Sequence, residues 1–134
     1  MGARTFRIAM SERCYRFKPD ALVPHAPQKP GVYEFVMFDA QLQPIVLFVG
    51  LAYPKTLFEA LSDHLMGRLR PSAEELFKIS KDIYFDYVAS ADVSSDEEYK
   101  DIAGALIAKH QPRLNPAGQA ISSGRYGTVA LEEA

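Results

Sequence analysis

Residues 31–50, GVYEFVMFDAQLQPIVLFVG, consist of two apolar runs separated by a short polar segment. Residues 31–38 and 45–50 are too short and too rich in β-branched side chains for two helices, so they predict two strands joined by a turn at 39–44. Apolar residues fill successive positions and not only alternate ones, which indicates strands covered on both faces. The hairpin is therefore predicted to lie at the centre of the domain.

The residues after this hairpin carry signals for helix starts. The sequences TLFE at 56–59 and SDEE at 95–98 have the spacing of capping boxes, in which a hydroxyl and a carboxylate satisfy free backbone donors. Apolar periodicity then predicts helices over 57–66, over 73–80 and from residue 96 to just before Pro112. Residues 83–89, IYFDYVA, predict a strand between the second and third helices.

The segments outside this region are less regular. Residues 5–10 predict a short strand, and the four prolines between 19 and 30 favour an extended connection over a helix. Beyond residue 115 the chain has three glycines and little periodicity, so a tail or arm lying on the domain is expected.

Composition bounds the class of protein. A chain of 134 residues with 48% hydrophobic and 24% charged residues fits one folded domain. The single cysteine, Cys14, excludes an internal disulfide, and no Cys/His cluster indicates a zinc site. The longest apolar stretch is far shorter than the roughly 18 residues of a membrane span, and no signal peptide is visible. These features predict a cytoplasmic protein with no membrane partner.

Charge is distributed unevenly around the formal net charge of −2. Residues 1–18 carry five basic residues and one acidic residue, whereas residues 19–101 carry seven basic and fourteen acidic residues. Residues 102–131 contain three basic residues and no acidic one. A basic surface for nucleic acid can therefore come only from the two ends of the chain.

Three short motifs stand in a recognisable order: GVY at 31–33, FVG at 48–50 and LIAKHQPRLN at 106–115. Together with the predicted elements between them, they resemble the GIY-YIG nuclease domain over residues 30–115. The resemblance implies an α+β fold with a three-stranded central antiparallel sheet flanked by helices in the order β-β-α-α-β-α. Residues 1–29 would then be an N-terminal extension and residues 116–134 a C-terminal tail.

The resemblance also implies an activity, which is hydrolysis of phosphodiester bonds in DNA. Members of the family use a tyrosine from each of the first two motifs, an arginine and a histidine on the first helix, and a metal-binding glutamate on the last helix. The metal ion polarises the phosphate, and the arginine balances the charge that develops on it.

Only part of this set is present when it is carried over position by position. Tyr33 and His64 match the tyrosine of the first motif and the helix histidine, and Asn115 matches an asparagine that ends the last motif. The second tyrosine is replaced by Phe48. The arginine position is Ala60, and the metal-binding glutamate position is Ala103.

The resemblance therefore implies a degenerate site. Tyr33 and His64 would be vestigial catalytic residues, although each also fits the simpler role of a hydrogen-bonded core residue. Glu98 and Asp101 lie roughly 140° and 160° from Ala103 around a helix with about 100° per residue, so neither is expected to replace the glutamate. No cofactor is expected, and Mg²⁺ or Mn²⁺ would be required only if the protein is active.

Three functions stay open at this point. The first is a nucleic-acid-associated binding module without nuclease activity, the second a non-catalytic protein-interaction domain, and the third a metal-dependent DNA endonuclease. DNA and another protein are accordingly the two possible partners. The residues predicted to bind nucleic acid are Arg68, Arg70, Lys109, His110, Arg113 and Asn115.

Overall fold

The computed structural model describes residues 2–134 and shows an α+β fold built on one mixed sheet. The strands are β1 (Ala3–Met10), β2 (Tyr15–Arg16), β3 (Gly31–Phe38), β4 (Pro44–Ala52), β5 (Tyr84–Ala91) and β6 (Thr128–Glu133). The helices are α1 (Pro19–His25), α2 (Leu57–Leu65), α3 (Ala73–Ile79) and α4 (Tyr99–His110), with a short 3₁₀ turn at Asp96–Glu98 before α4.

The order of strands across the sheet is β4-β3-β5-β1-β6, with β2 paired to β5 beside β1. β3 is antiparallel to both β4 and β5, and β5 is antiparallel to β1. β6 runs parallel to β1 along its full length. The predicted sheet of three strands is thus too small, because both terminal extensions add strands to it.

Two apolar cores cover the two sides of the sheet. In the first core, Tyr33 and Phe35 of β3 pack with Leu61 of α2. In the second core, Val32 of β3 packs with Ile102 of α4. Alternate residues of β3 therefore point into different cores, which confirms that this strand is covered on both faces. Its partner β4 lies at the sheet edge, so only half of the hairpin is central.

One of the two predicted capping boxes is confirmed. The capping box at 56–59 begins α2, and Ser72 with Glu75 forms a second box at the start of α3. The box predicted at 95–98 is wrong, since Ser95 makes no capping hydrogen bond. The Glu98 carboxylate instead accepts hydrogen bonds from the Ser94 N–H and the Tyr126 hydroxyl. The Glu98 carboxylate is therefore hydrogen-bonded to the C-terminal segment through Tyr126.

Two predictions about the extensions are also wrong. The proline-rich segment forms α1 because Pro19 stands at the first helical position, where its missing N–H costs no hydrogen bond, and Leu22 is buried. Part of the expected tail is strand β6, whose pairing with β1 is set by residues more than a hundred positions apart. Such long-range pairing leaves little local signal in the sequence.

Within residues 2–134, no helix combines the length and apolar character that crossing a bilayer demands.

Candidate functional site

The two predicted catalytic residues, Tyr33 and His64, meet in the buried space between β3 and α2. The Tyr33 hydroxyl lies 2.6 Å from His64 Nε2, and His64 Nδ1 lies 2.9 Å from the Pro71 carbonyl oxygen. Because a carbonyl only accepts, Nδ1 carries the ring proton and Tyr33 donates to Nε2. The two residues are 2% and 1% exposed. Burial raises the pKa of Tyr33 and lowers that of His64, so the pair is neutral near pH 7.

Gly50 lets the Tyr33 ring lie directly over β4. A Cβ atom at this glycine would stand 2.1 Å from Tyr33 Cζ, which no side chain can tolerate. The Phe48 ring completes the arrangement, with its centroid 5.5 Å from that of His64 and 6.4 Å from that of Tyr33. Phe48 has no hydroxyl group. The Tyr33 hydroxyl is therefore the only one among the three rings, and its proton is already donated to His64.

The positions where the resemblance expects charged groups hold methyl groups in closed cores. Ala60 belongs to the first core and Ala103 to the second, and both are 0% exposed. A carboxylate or guanidinium at either position would be surrounded by apolar atoms, at a large desolvation cost.

The acidic residues nearest to Ala103 along α4 are engaged elsewhere. Asp101 accepts hydrogen bonds from the backbone N–H and the hydroxyl of Ser123, at 3.0 and 2.6 Å. Glu98 accepts from Tyr126. In the part of the chain that the structure describes, His, Cys, Asp and Glu side chains form no group of three or more suited to a metal ion. The acidic residues around Ala103 do not form a binding site for a divalent cation.

Two arginines that flank different helices line the same cavity. Arg70 precedes α3 and Arg113 follows α4, and together with Phe48 and Pro71 they border a volume of about 330 Å³. We call this the outer cavity, and a neighbouring inner cavity of about 220 Å³ is lined by Tyr33, Phe48 and Arg70. Phe48 and Arg70 therefore link the two cavities into one continuous surface, which we call the arginine face.

The two guanidinium groups of the arginine face differ in their partners. Arg70 Nη2 lies 2.8 Å from Glu75 Oε2, and this ion pair lowers the pKa of Glu75 to about 2. Arg113 is exposed and has no ion pair with any residue in 2–134. Its guanidinium is available to an anionic ligand without first leaving a protein carboxylate.

The remaining predicted binding residues are dispersed. Arg68 lies 3.7 Å from Asp63, at the end of α2. Lys109 pairs with Glu133 of β6. His110 Nε2 lies 3.4 Å from Glu34 Oε2. The structure thus brings Arg70 and Arg113 together and leaves Lys109 and His110 facing acidic residues.

Asn115 completes the open edge of β4. Its Oδ1 accepts from the Val49 N–H and its Nδ2 donates to the Val49 carbonyl, both at 2.9 Å. The side chain thereby takes the place of a neighbouring strand at one residue of the edge. Asn115 is 9% exposed, and this pairing positions Arg113 two residues earlier.

Sequence reasoning missed a pair of acidic residues in the sheet. Glu34 of β3 stands opposite Asp86 of β5. Burial, more than any other cause, raises the pKa of both carboxyl groups, and their mutual repulsion adds to the effect on Glu34. The same surroundings raise the pKa of Cys14 to about 11, which makes this thiol a poor nucleophile. The available signal was a lone glutamate in the apolar run GVYEFVMF.

Comparisons with known proteins do not extend this picture. No protein-family model matches the sequence, and neither curated proteins nor solved structures give a significant match.

Proposed function

We propose that the chain is a GIY-YIG-like domain that has lost nuclease activity and binds nucleic acid through the arginine face without cutting it. The observation that carries the proposal is the replacement of both charged positions by wholly buried alanines, Ala60 in the core that contains Tyr33 and Ala103 in the second core, while the Tyr33–His64 pair is kept. The framework of such a site is present, whereas its charged half is replaced by packed methyl groups.

Loss of chemistry follows from what the site must stabilise. Phosphodiester cleavage develops negative charge on the phosphate, and a preorganised cation and a metal ligand normally offset it. Neither Ala60 nor Ala103 can supply that charge. A factor of a thousand or more in rate is the expected loss.

Binding is supported by the composition of the arginine face. Guanidinium groups recognise phosphate in a planar geometry, and a partly exposed aromatic ring offers a surface on which a base can stack. Arg113 and Phe48 supply these two features around the same cavity. Single-stranded nucleic acid fits this combination better than a duplex, in which the bases are already stacked.

A direct test is fluorescence anisotropy of a labelled single-stranded 12-mer at several salt concentrations. Arg113→Ala is expected to weaken binding about fivefold or more at low salt. It should also reduce by about one the slope of the logarithm of the binding constant against the logarithm of the salt concentration. Arg13→Ala is the matched control, because Arg13 is exposed in the connection between β1 and β2, across the sheet from β4. Equal weakening by both variants would reduce the effect to net charge and remove the arginine face from the proposal.

A protein-interaction domain is the alternative that one observation favours. Phe38, Leu42 and Ile45 at the tip of the β3–β4 hairpin are 38%, 78% and 37% exposed, and residues 19–101 are acidic. If no oligonucleotide binds even at low salt, while changing these three residues to serine leaves the fold intact and abolishes binding to a partner, the interaction domain is the correct function.

The endonuclease is tested separately with supercoiled plasmid, Mg²⁺ or Mn²⁺, and a chelator. We expect intact plasmid under all conditions. Metal-dependent nicking that disappears in Tyr33→Phe would show that other residues have replaced the missing charges.

A further inference from the structure

We propose that residues 116–127, which we call the strap, cover the inner cavity, which Tyr33 and Phe48 line, and open as a unit while the sheet stays folded. The strap connects Asn115, which is paired to β4, with the first residue of β6. It is therefore anchored at both ends. Gln119 and Ile121 from its middle line the cavity that also contains Tyr33 and Phe48.

A missing side chain on α4 allows the strap to come close. A Cβ atom at Gly104 would lie 2.2 Å from the Ile121 carbonyl oxygen, so only glycine permits this backbone approach. Glycine inside a helix costs stability relative to alanine. The three atoms nearest to such a Cβ all belong to the Ile121 backbone, so contact with the strap explains the glycine.

Polar side chains hold the strap to the start of α4. Ser123 donates two hydrogen bonds to Asp101, and Tyr126 donates one to Glu98. Arg125 adds a 3.5 Å ion pair with Glu97. Among the described residues, the buried Asp101 carboxylate has hydrogen-bond partners only in the strap, whereas Glu98 also accepts from the Ser94 N–H. The strap contacts break together if the strap leaves.

The strap has the properties of a segment that opens locally. Most of its residues are exposed and none is in a helix or strand, and Ile121 and Tyr126 are the strap residues that pack against the second core. Segments with few buried apolar contacts open at lower free energy than the core does. Opening would leave β6 paired to β1, because that pairing begins at Thr128.

Opening has a consequence for the proposed function, on which this step rests. With the strap closed, Gln119 and Ile121 form one wall of the cavity that Tyr33 lines, and so limit its size. With the strap open, this wall is removed and the arginine face extends further along the β4 edge. The strap therefore limits the length of single-stranded nucleic acid that the domain can hold.

The test uses the full chain with Gly104→Ala, which creates the clash with Ile121 while favouring the helix. Gly2→Ala is the control, because an added methyl group there meets no neighbour within 4 Å. Trypsin cleavage after Arg125 measures opening of the strap. Labelling of a cysteine introduced by Leu51→Cys, with Cys14→Ser, measures access to the inner cavity, which Leu51 lines.

We expect Gly104→Ala to be cleaved after Arg125 at least about tenfold faster than the parent, with a comparable rise in labelling and no change in the control. Unchanged cleavage would overturn the proposal, since the strap would then not depend on Gly104. Faster cleavage with unchanged labelling would also overturn the proposal, since the strap would then not cover the inner cavity.

Binding of labelled oligonucleotides separates this inference from the proposed function. Tighter binding of a 12-mer by Gly104→Ala supports both. If cleavage and labelling rise but neither protein binds any oligonucleotide, the strap stands and the proposed function fails. Equal binding by parent and variant, despite increased labelling, would overturn the control of nucleic-acid length by the strap.

Discussion

At the scale of single residues, the Tyr33 hydroxyl is the polar atom on which the candidate site depends. It donates to a histidine nitrogen, and both residues are almost wholly buried. Burial keeps both groups neutral, so the contact is a neutral hydrogen bond and not an ion pair. In this setting the pair stabilises the packing of α2 on β3, whatever ligand the protein binds.

Tyr33→Phe is therefore expected to lower the free energy of unfolding by about 1–3 kcal/mol, because His64 Nε2 would be left buried without a partner. Urea denaturation measures the change. Tyr53→Phe serves as control, since the Tyr53 hydroxyl makes no hydrogen bond within residues 2–134. Equal stabilities of Tyr33→Phe and the parent would show that the hydroxyl contributes nothing.

The two motif glycines are expected to differ in their tolerance of a methyl group. Gly50→Ala places Cβ within 2.1 Å of the Tyr33 ring and should cost about 3 kcal/mol or more. Gly31→Ala brings Cβ to 3.1 Å from a Leu57 methyl group, which can shift, and should cost less than about 1.5 kcal/mol. Thermal unfolding of both variants checks this order, and the reverse order would contradict the close packing of Tyr33 on β4.

At the scale of elements, the exit of α4 is tied to the edge of β4. Leu114 N–H donates to the Leu47 carbonyl at 3.0 Å, and Asn115 pairs with Val49. Together they act as a short extra strand at an edge that would otherwise be open. This protects the edge from pairing with other chains and directs the following strap across the site.

Asn115→Ala leaves the Val49 N–H and carbonyl without partners and should destabilise the protein by about 2–4 kcal/mol. Gln119→Ala removes only the exposed partner of Asn115 and should cost less than about 0.5 kcal/mol. Chemical denaturation measures both. A small effect of Asn115→Ala would mean that water replaces the amide at this edge.

At the scale of the whole molecule, stability depends on pH through one buried acidic pair. The pKa of Glu34 is raised by burial from its ordinary value of 4.5 to about 9. Below pH 4.5 the residue is protonated in both the folded and the unfolded chain. Above that value the unfolded chain loses the proton and the folded one keeps it, so stability falls as pH rises toward 9. The charged or titratable groups around the pair are Asp86, Cys14, Lys109, His110 and Glu133.

We expect the free energy of unfolding to decrease from pH 5 to pH 9 and Glu34→Gln to flatten that decrease. His64 and His110, whose pKa values are lowered mainly by burial, favour the folded state more as pH rises to 6.5. His110 lies 3.4 Å from Glu34, so its contribution changes in the variant, and the comparison is therefore made between pH 7 and pH 9. Urea titrations at pH 5, 7 and 9 provide the measurement. Glu132→Gln, on the exposed side of β6, should keep the slope of the parent, and the same slope in Glu34→Gln would contradict the buried pair.

The amino-acid sequence by itself determined the local part of this architecture. Strand β3 and helices α2 and α3 lie within a few residues of their predicted bounds, because apolar periodicity and capping residues act over a few neighbouring positions. The resemblance also singled out Tyr33, Phe48 and His64, which the structure brings together, and Ala103, which lies in the second core on the other side of the sheet.

Tertiary structure alone decided the rest, because long-range contacts overrode local preference. β6 is a strand through its pairing with β1, and the Glu98 carboxylate of the predicted 95–98 capping box is held by Tyr126, 28 residues away. The meeting of Arg70 with Arg113, the Glu34–Asp86 pair and the approach of Ile121 to Gly104 each join residues far apart in the chain. Such contacts depend on how packed elements fill space, which no short window of sequence encodes.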